Sequence, residues 1–195
     1  MECQHCGALQ PPELGADHFH VLGVDRRFDL DVANLEQRYR ELTRKLHPDR
    51  FARADARARR ASLARSVQLN EAWRAMKDPL RRAEYLVQLG RGQAGDKDAV
   101  PPALLAEILE LRQELGEARL EGDDVKVQQM ATAMHARQDQ ALERVARALA
   151  GVPTADGLET AARELVAIRY YRRFLDEVAV HDDAVAARSE GGAHG

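Results

Sequence analysis

Apolar side chains recur at helical spacing along most of this 195-residue chain. In the clearest stretch they follow one another at alternate steps of three and four residues, which is the period of a helix with one buried side. These positions are Val32, Leu35, Tyr39, Leu42 and Leu46. Asp31 is a suitable N-cap, while Pro48 lacks an amide hydrogen and disfavours helical backbone at His47. The pattern therefore predicts a helix from about Asp31 to His47.

The same pattern predicts further helices on both sides of this one. They span about 16–22, 55–77, 79–90, 102–120, 125–150 and 156–180. Residues that favour strands are scarce, with two Ile, four Thr and 5% aromatics in the whole chain. We expect an all-α protein.

Composition and charge divide the chain into two parts. The stretch 90–102 is rich in Gly and Pro, which is typical of a linker. Residues 17–90 carry 16 Lys and Arg against 11 Asp and Glu, whereas 91–195 carry 13 against 19. We predict an appendage at 1–16, a first domain at 17–90, a linker at 91–101, a three-helix bundle at 102–182 and a disordered tail at 183–195. The opposite charges indicate two modules that face different partners.

The end of the second helix carries candidate binding residues. Asp49 lies where the negative end of the helix dipole disfavours a carboxylate, so a partner explains it better than helix stability does. A row of basic side chains on the solvent side of the helix leads to this point. The row consists of Arg38, Arg40, Arg44 and Lys45, and Glu36 and Glu41 interrupt it. We expect the row and the residues after it to form a contact surface.

These residues, with others at fitting distances, resemble the J-domain, the co-chaperone module that stimulates the ATPase of DnaK-type chaperones. The segments that carry the likeness are Asp17-His18-Phe19-His20-Val21-Leu22-Gly23-Val24, Tyr39-Arg40-Glu41-Leu42, His47-Pro48-Asp49, Asn70-Glu71-Ala72-Trp73 and Asp78-Pro79. The resemblance implies a helical hairpin, and it implies that His47, Pro48, Asp49, Tyr39, Arg40 and Lys45 bind the chaperone.

Two leucines of the fifth helix fall outside its apolar stripe. The stripe consists of Leu104, Ile108, Leu111, Leu115 and Ala118, and Leu105 and Leu109 lie about a third of a turn from it. In the last helix Leu158, Ala161, Leu165, Ile168 and Leu175 are predicted to point inward, with Tyr170 and Phe174 largely on the other side. Either the bundle has a wide apolar face, or packs these residues on the first domain, or the leucines form a protein-binding patch rimmed by carboxylates.

A second resemblance bears on that choice. A J-domain followed by a linker and an acidic bundle with Leu109-Glu110-Leu111-Arg112-Gln113-Glu114-Leu115 is similar to HscB, the co-chaperone family of iron-sulfur cluster assembly. The resemblance implies that the bundle binds the scaffold protein IscU and that the J-domain brings scaffold and cluster to the chaperone HscA. By motif alignment the scaffold-binding positions are Leu105, Ala106, Leu109, Glu110, Gln113, Glu117 and Tyr170.

The pair Cys3 and Cys6 has the spacing of a metal site, but a closed zinc site needs four ligands. His5, His18 and His20 are candidate helpers. Either the pair binds zinc or the first residues form an unstructured tail with no cofactor. A metal or redox protein acting through the cysteines therefore stays open as an alternative function. A second alternative is a general J-domain co-chaperone with another client.

Other classes are disfavoured by what the sequence lacks. No lysine follows the glycine pattern of a P-loop, and no serine lies in a nucleophile elbow, so we expect no enzyme. The arginines near 57–65 lack stacking aromatics, which disfavours a nucleic-acid partner. No apolar run has the length of a membrane span and no signal pattern opens the chain, so we expect a cytoplasmic protein without a membrane partner.

Overall fold

The structure, a computed structural model, describes residues 9–92 and 100–191, with side chains up to residue 180. Seven α-helices make up this part of the chain, which confirms the all-α prediction. They are α1 (His18–Leu22), α2 (Val32–Leu46), α3 (Ala56–Lys77), α4 (Pro79–Arg91), α5 (Pro102–Glu121), α6 (Asp124–Ala148) and α7 (Ala155–Gly191). A short 3-10 helix, Pro48–Phe51, follows α2. None of the described helices is long and apolar enough to cross a membrane.

The chain forms two compact units. The first comprises Met1–Leu89 with Leu149–Pro153, and the second comprises Gly90–Ala148 with Thr154–Gly195. Most of the predicted linker lies at 93–99, outside the described residues.

In the first unit, α2 and α3 form the predicted antiparallel hairpin. Midway along α2 the hydroxyl of Tyr39 donates to Asn70 Oδ1 at 2.9 Å, and at the end of α2 Ser62 Oγ donates to the carbonyl of Leu46 at 2.7 Å. The buried core between these helices and α1 and α4 includes Phe19, Leu22, Leu35, Leu46, Leu69, Ala72, Met76 and Leu86. The predicted stripe of α2 is only partly buried, since Val32 in its first turn is exposed.

Capping residues mark the starts of α1, α2 and α3 and the end of α1 close to the predicted positions. Asp17, Asp31 and Asp55 each accept a hydrogen bond from a backbone amide in the first turn of α1, α2 and α3. Gly23 ends α1 at φ 64°, a left-handed conformation, and a Cβ there would lie 2.5 Å from Arg38 Nη2. The left-handed conformation favours glycine, and any larger residue here would also have to displace the guanidinium of Arg38.

The appendage prediction fails for residues 9–16. Leu9 is buried, and the side chain of Arg65 donates to the carbonyl oxygens of Gln10 and Pro11. These contacts hold the segment on the first unit instead of leaving it as an unstructured tail. The sequence did not show this because neither backbone carbonyl has a sequence signature.

The second unit is a three-helix bundle. Ion pairs connect α6 to both neighbours, from Arg137 to Glu107 at 2.7 Å and from Arg144 to Glu164 at 3.0 Å. A third pair joins Arg112 of α5 to Glu177 of α7. The buried core of the second unit includes Ile108, Leu115, Ala118, Val127, Met134, Ala141, Val145, Leu165, Ile168, Phe174 and Val178.

Two predictions for the last helix are wrong. Phe174 is 0% exposed, because it lies three or four residues from Tyr171 and Val178, on the buried side of α7. The helix also continues to Gly191, through most of the predicted disordered tail at 183–195. No Gly or Pro interrupts residues 181–190, so nothing in the backbone ends the helix earlier.

Candidate functional site

The first candidate site is the loop after α2, which we call the HPD loop and define as His47, Pro48 and Asp49. His47 leaves the helical conformation at φ −55° and ψ 128°, and the chain then turns through the 3-10 helix. The side chains of His47 and Asp49 are 52% and 90% exposed. A carboxylate and an imidazole are therefore presented to solvent.

The helix-dipole reason given for a partner at Asp49 is wrong. It lies in the first turn of the 3-10 helix, so it is not held at an unfavourable helix end. Its amide donates to His47 Nδ1 at 3.3 Å, while its carboxylate lies 3.5 Å from the same nitrogen. These contacts are alternatives, since Nδ1 accepts in the first and would donate in the second. The exposure of Asp49 is what supports a contact with a partner.

The base of the HPD loop is held from inside the fold. The carbonyl oxygen of Leu46 accepts hydrogen bonds from Ser62 Oγ at 2.7 Å and Ser66 Oγ at 3.0 Å. Ser62 is fully buried, so this carbonyl has no access to solvent on that side. The sequence analysis examined these serines only as nucleophiles and missed this role. Their spacing of i and i+4, followed by Leu69 at i+7, was the available signal.

The basic row is smaller than predicted. Arg40, Arg44 and Lys45 are exposed on α2, and Arg40 Nη2 pairs with Glu36 Oε1 at 2.6 Å. Arg38 does not belong to the row, because its Nε donates to the carbonyl oxygen of Leu22 at 2.5 Å. Exposed ion pairs at i and i+4 contribute only about 0.3–0.5 kcal/mol. Glu36 therefore competes only weakly with a partner's carboxylates for the guanidinium of Arg40.

Tyr39 has a structural role beside its predicted binding role. Its ring stacks on Trp73 with centroids 4.8 Å apart and planes at 10°, and its hydroxyl bonds Asn70. The side chain is half-buried. Leu63 and Val67, which the sequence analysis did not assign, are exposed on α3 in the turns before Asn70. An apolar strip on α3 therefore leads towards Asn70 and Tyr39.

The second candidate site is the α5 patch, defined as Leu105, Ala106, Leu109, Glu110, Gln113 and Glu117. Leu105 and Leu109 are 43% and 58% exposed, and the other four residues are also exposed. Neighbouring Ile108 and Leu115 are buried, as the stripe predicts. Gln113 Nε2 donates to Glu117 Oε1 at 3.0 Å. The leucines that fall outside the stripe therefore face solvent in this unit, and carboxylates flank them.

Tyr170, the predicted site residue of α7, is half-buried. The guanidinium of Arg173 lies 5.6 Å from its ring centroid. The next residue, Tyr171, is buried; burial raises the pKa of its hydroxyl and the carboxylate of Glu107 adds to the rise.

The candidate metal ligands Cys3 and Cys6 lie outside the described residues. Among the side chains that the structure describes, those of 9–92 and 100–180, no group of three or more His, Cys, Asp or Glu is arranged to hold a metal ion.

Two family models match the chain in the order of its two units. One, described as the DnaJ domain, matches residues 17–85, and the other, the HSCB C-terminal oligomerisation domain, matches residues 100–179. The chain belongs to the HscB family of iron-sulfur cluster co-chaperones. Both resemblances that the sequence indicated are therefore confirmed. Relatives in the family are named as co-chaperones and not as enzymes, in agreement with the sequence analysis.

Relatives and solved structures agree with this assignment. The co-chaperone protein HscB homolog of Ralstonia nicotianae is 39% identical over 54% of this chain, and the match covers 61% of that protein's length. The iron-sulfur cluster co-chaperone protein HscB of Mus musculus is 28% identical over 90% of this chain and 73% of its own. The structure of chaperone HscB from Vibrio cholerae is 29% identical, with a TM-score of 0.72 over 87% of this chain and 99% of that one. Human co-chaperone protein HscB is 27% identical, with a TM-score of 0.75 over 93% and 89%.

Proposed function

We propose that this protein stimulates the ATPase of an HscA- or DnaK-type chaperone and delivers the scaffold protein IscU to it. The iron-sulfur cluster on the scaffold is the cargo, and its transfer completes the maturation of a recipient protein. The observation that carries the proposal is the exposed HPD loop, whose carboxylate faces solvent while its base is anchored in the core. We also propose that the protein works in the cytoplasm, without nucleic acid or membrane.

The first unit supplies the chaperone contact. Asp49 and His47 would bind polar groups of the ATP-bound chaperone, and Arg40 and Lys45 would pair with acidic groups beside them. Such a contact raises the rate of hydrolysis only if it favours the hydrolysing conformation over the resting one. Each tenfold of stimulation corresponds to about 1.4 kcal/mol of that difference. Pro48 keeps His47 out of the helix, and Tyr39 supports the surface through Trp73.

The second unit supplies the scaffold contact. Leu105 and Leu109 are apolar side chains that the bundle does not bury, and exposed apolar groups of this kind are typical of a binding surface. Glu110 and Glu117 would form its polar rim with Gln113, and Ala106 and Tyr170 would complete it. Because both contacts are on one chain, each binding event raises the effective concentration of scaffold at chaperone.

The test is the steady-state ATPase rate of the chaperone with and without this protein. We expect Asp49→Ala to abolish stimulation, because it removes the exposed carboxylate, and to leave helicity unchanged, since the side chain is 90% exposed. Asp139→Ala, which truncates an exposed carboxylate in the middle of α6 in the second unit, is the control and should stimulate normally. Normal stimulation by Asp49→Ala would contradict the proposal.

The proposed function needs no resident cofactor. We therefore expect the double variant Cys3→Ser and Cys6→Ser to stimulate the chaperone as well as the unchanged protein does. Loss of all stimulation in this variant, measured in the same assay, would favour the metal or redox alternative.

A further inference from the structure

The segment before α1 belongs to the first unit but lies outside both of the matching family models. We call residues 9–16 the N-terminal arm; the DnaJ match begins at residue 17. Leu9 is 5% exposed. Arg65 of α3 donates from Nε to the carbonyl oxygen of Gln10 at 2.5 Å and from Nη2 to that of Pro11 at 2.9 Å. The two-pronged hydrogen bond from Arg65 therefore fastens the arm to α3, and the arm begins with a buried apolar side chain.

The other end of the N-terminal arm rests on α1. The carboxylate of Glu13 lies 3.3 Å from Nε2 of His20, and both side chains are exposed. Exposed pairs contribute little, about 0–1 kcal/mol, so Leu9 and Arg65 carry most of the attachment. The arm, α1, Leu46 and α3 together enclose a cavity of about 160 Å³. The arm and the last residue of α2 therefore border the same space.

Arg65 also connects the arm to the HPD loop along α3. It lies between Ser62 and Ser66, whose hydroxyls both donate to the carbonyl of Leu46. One turn of α3 thus holds the arm through Arg65 and the end of α2 through the serines. His47, the first residue of the HPD loop, is bonded directly to Leu46. A shift of this turn would move both.

We infer that the N-terminal arm is a strap that holds the end of α2, and with it the HPD loop, in the conformation that the chaperone binds, with Arg65 as the positioning residue. The part of this inference that concerns the chaperone rests on the proposed function. The part that concerns the loop does not, because the geometry of the strap belongs to the free protein. The two parts are therefore tested separately.

The choice of arginine makes the strap testable by conservative change. A guanidinium donates along two directions from one rigid plane, which matches the adjacent carbonyl oxygens of Gln10 and Pro11. Lysine keeps the charge but offers a compact ammonium on a flexible stem, so Arg65→Lys should retain part of the function. In Arg65→Gln the glutamine side chain is too short to bond both carbonyl oxygens, so this variant should release the arm. Leu9→Ser removes the apolar anchor without touching α3.

The first experiment is amide hydrogen exchange on the full chain without any partner. The amides of Asp49, Arg50 and Ala52 are hydrogen-bonded to His47 Nδ1, the His47 carbonyl and the Asp49 carbonyl. We expect these amides to exchange roughly three- to tenfold faster in Arg65→Gln and in Leu9→Ser, because the open population rises when the strap is lost. Arg60→Gln, an exposed position on the same helix, is the matched control and should exchange normally. Unchanged exchange in both arm variants would overturn the inference.

The second experiment separates affinity from turnover in chaperone stimulation. A loop that is competent for only part of the time raises the apparent dissociation constant and leaves the saturated state unchanged. We therefore expect Arg65→Gln and Leu9→Ser to raise the half-maximal concentration roughly three- to tenfold with the same maximal ATPase rate, and Arg65→Lys to give an intermediate value.

A lower maximal rate at an unchanged half-maximal concentration would contradict the strap. Fluorescence of Trp73, the only tryptophan, shows whether each variant is folded in the first unit. If the unchanged protein itself fails to stimulate the chaperone, the proposed function fails, while faster loop exchange in the arm variants would still support the strap.

Discussion

Arg65 and Arg82 donate to main-chain carbonyl oxygens that no helix satisfies, three of them in segments without regular structure and one, that of Met76, in the last turn of α3. Arg65 holds Gln10 and Pro11, and Arg82 donates from Nη1 to the carbonyl of Phe28 at 2.6 Å and from Nε to that of Met76 at 2.8 Å. Burial lowers the pKa of both guanidinium groups. Each side chain therefore supplies hydrogen-bond donors to carbonyl oxygens that receive none from the backbone of a helix.

Replacing Arg82 tests how much such a tie contributes. Arg82→Met keeps most of the apolar stem, leaves two carbonyls without their charged donor, and loses the guanidinium 5.5 Å from the Phe28 ring centroid. Since hydrogen bonds from charged groups contribute about 1.5–3 kcal/mol each, we expect the loss of both to lower the free energy of unfolding by about 3–6 kcal/mol. Urea unfolding followed by Trp73 fluorescence measures it.

The control is the neighbouring exposed arginine. Arg81→Met should change the same free energy by less than about 0.5 kcal/mol, as surface substitutions usually do. Equal effects at the two positions would show that Arg82 contributes through charge alone and not through its buried bonds.

Among the elements, α2 is the one whose two ends have opposite characters. Its start is a local cap, in which Asp31 Oδ1 accepts from the amides of Ala33 at 2.9 Å and Asn34 at 3.1 Å. Its end depends on α3, because the Leu46 carbonyl is satisfied by Ser62 and Ser66. The beginning of this helix can be found in the sequence, whereas the support of its end cannot.

Changing the cap of α2 should affect stability but not the HPD loop. We expect Asp31→Ala to lower the free energy of unfolding by about 1 kcal/mol, since it leaves two amides without an acceptor. Asp31→Asn also caps well and should stay within a few tenths of a kcal/mol, about 0.3. Trp73 fluorescence in urea measures both variants. If Asp31→Asn lost as much stability as Asp31→Ala, the effect would come from the charge of Asp31 and not from capping.

At the scale of the whole molecule, two surfaces of different chemistry are carried by one chain. The HPD loop and the basic residues of α2 lie in the first unit, and the α5 patch of leucines and carboxylates lies in the second. Apolar burial is nondirectional and tolerant of salt, whereas contacts between exposed charges are screened. The two proposed partners would therefore be recognised by different kinds of contact.

The link between the units predicts a response that neither unit gives alone. We expect Leu105→Ser with Leu109→Ser to stimulate the chaperone normally by itself but to lose the additional stimulation that IscU brings. Both side chains are exposed, so the fold should be unchanged in circular dichroism. Leu120→Ser, exposed on the same helix about three turns beyond Leu109, is the matched control. An undiminished response of the double variant to IscU would contradict the proposed scaffold contact.

Much of the fold follows from spacing that a reader of the sequence can count. The steps of three and four from Leu35 to Leu46, the N-cap at Asp31 and the stop at Gly23 all depend on neighbours within one or two turns. The position of Leu105 and Leu109 outside the stripe of α5 follows from the same count, whereas their exposure to solvent comes from the structure. The roles assigned to these residues rest on resemblance, and the binding contacts stay predictions.

Errors arose where contacts join residues distant in sequence. Phe174 was placed outside because its burial depends on how α6 packs against α7, and Arg38 was placed in a basic row because its bond to Leu22 spans sixteen positions. Leu9 and Arg65 are separated still further. Helical period and capping are local properties of a chain, so the sequence by itself determined the order of the helices and most of their ends. Which carbonyls the buried hydroxyl and guanidinium groups satisfy depends on desolvation in the packed core, and only the tertiary structure decided that.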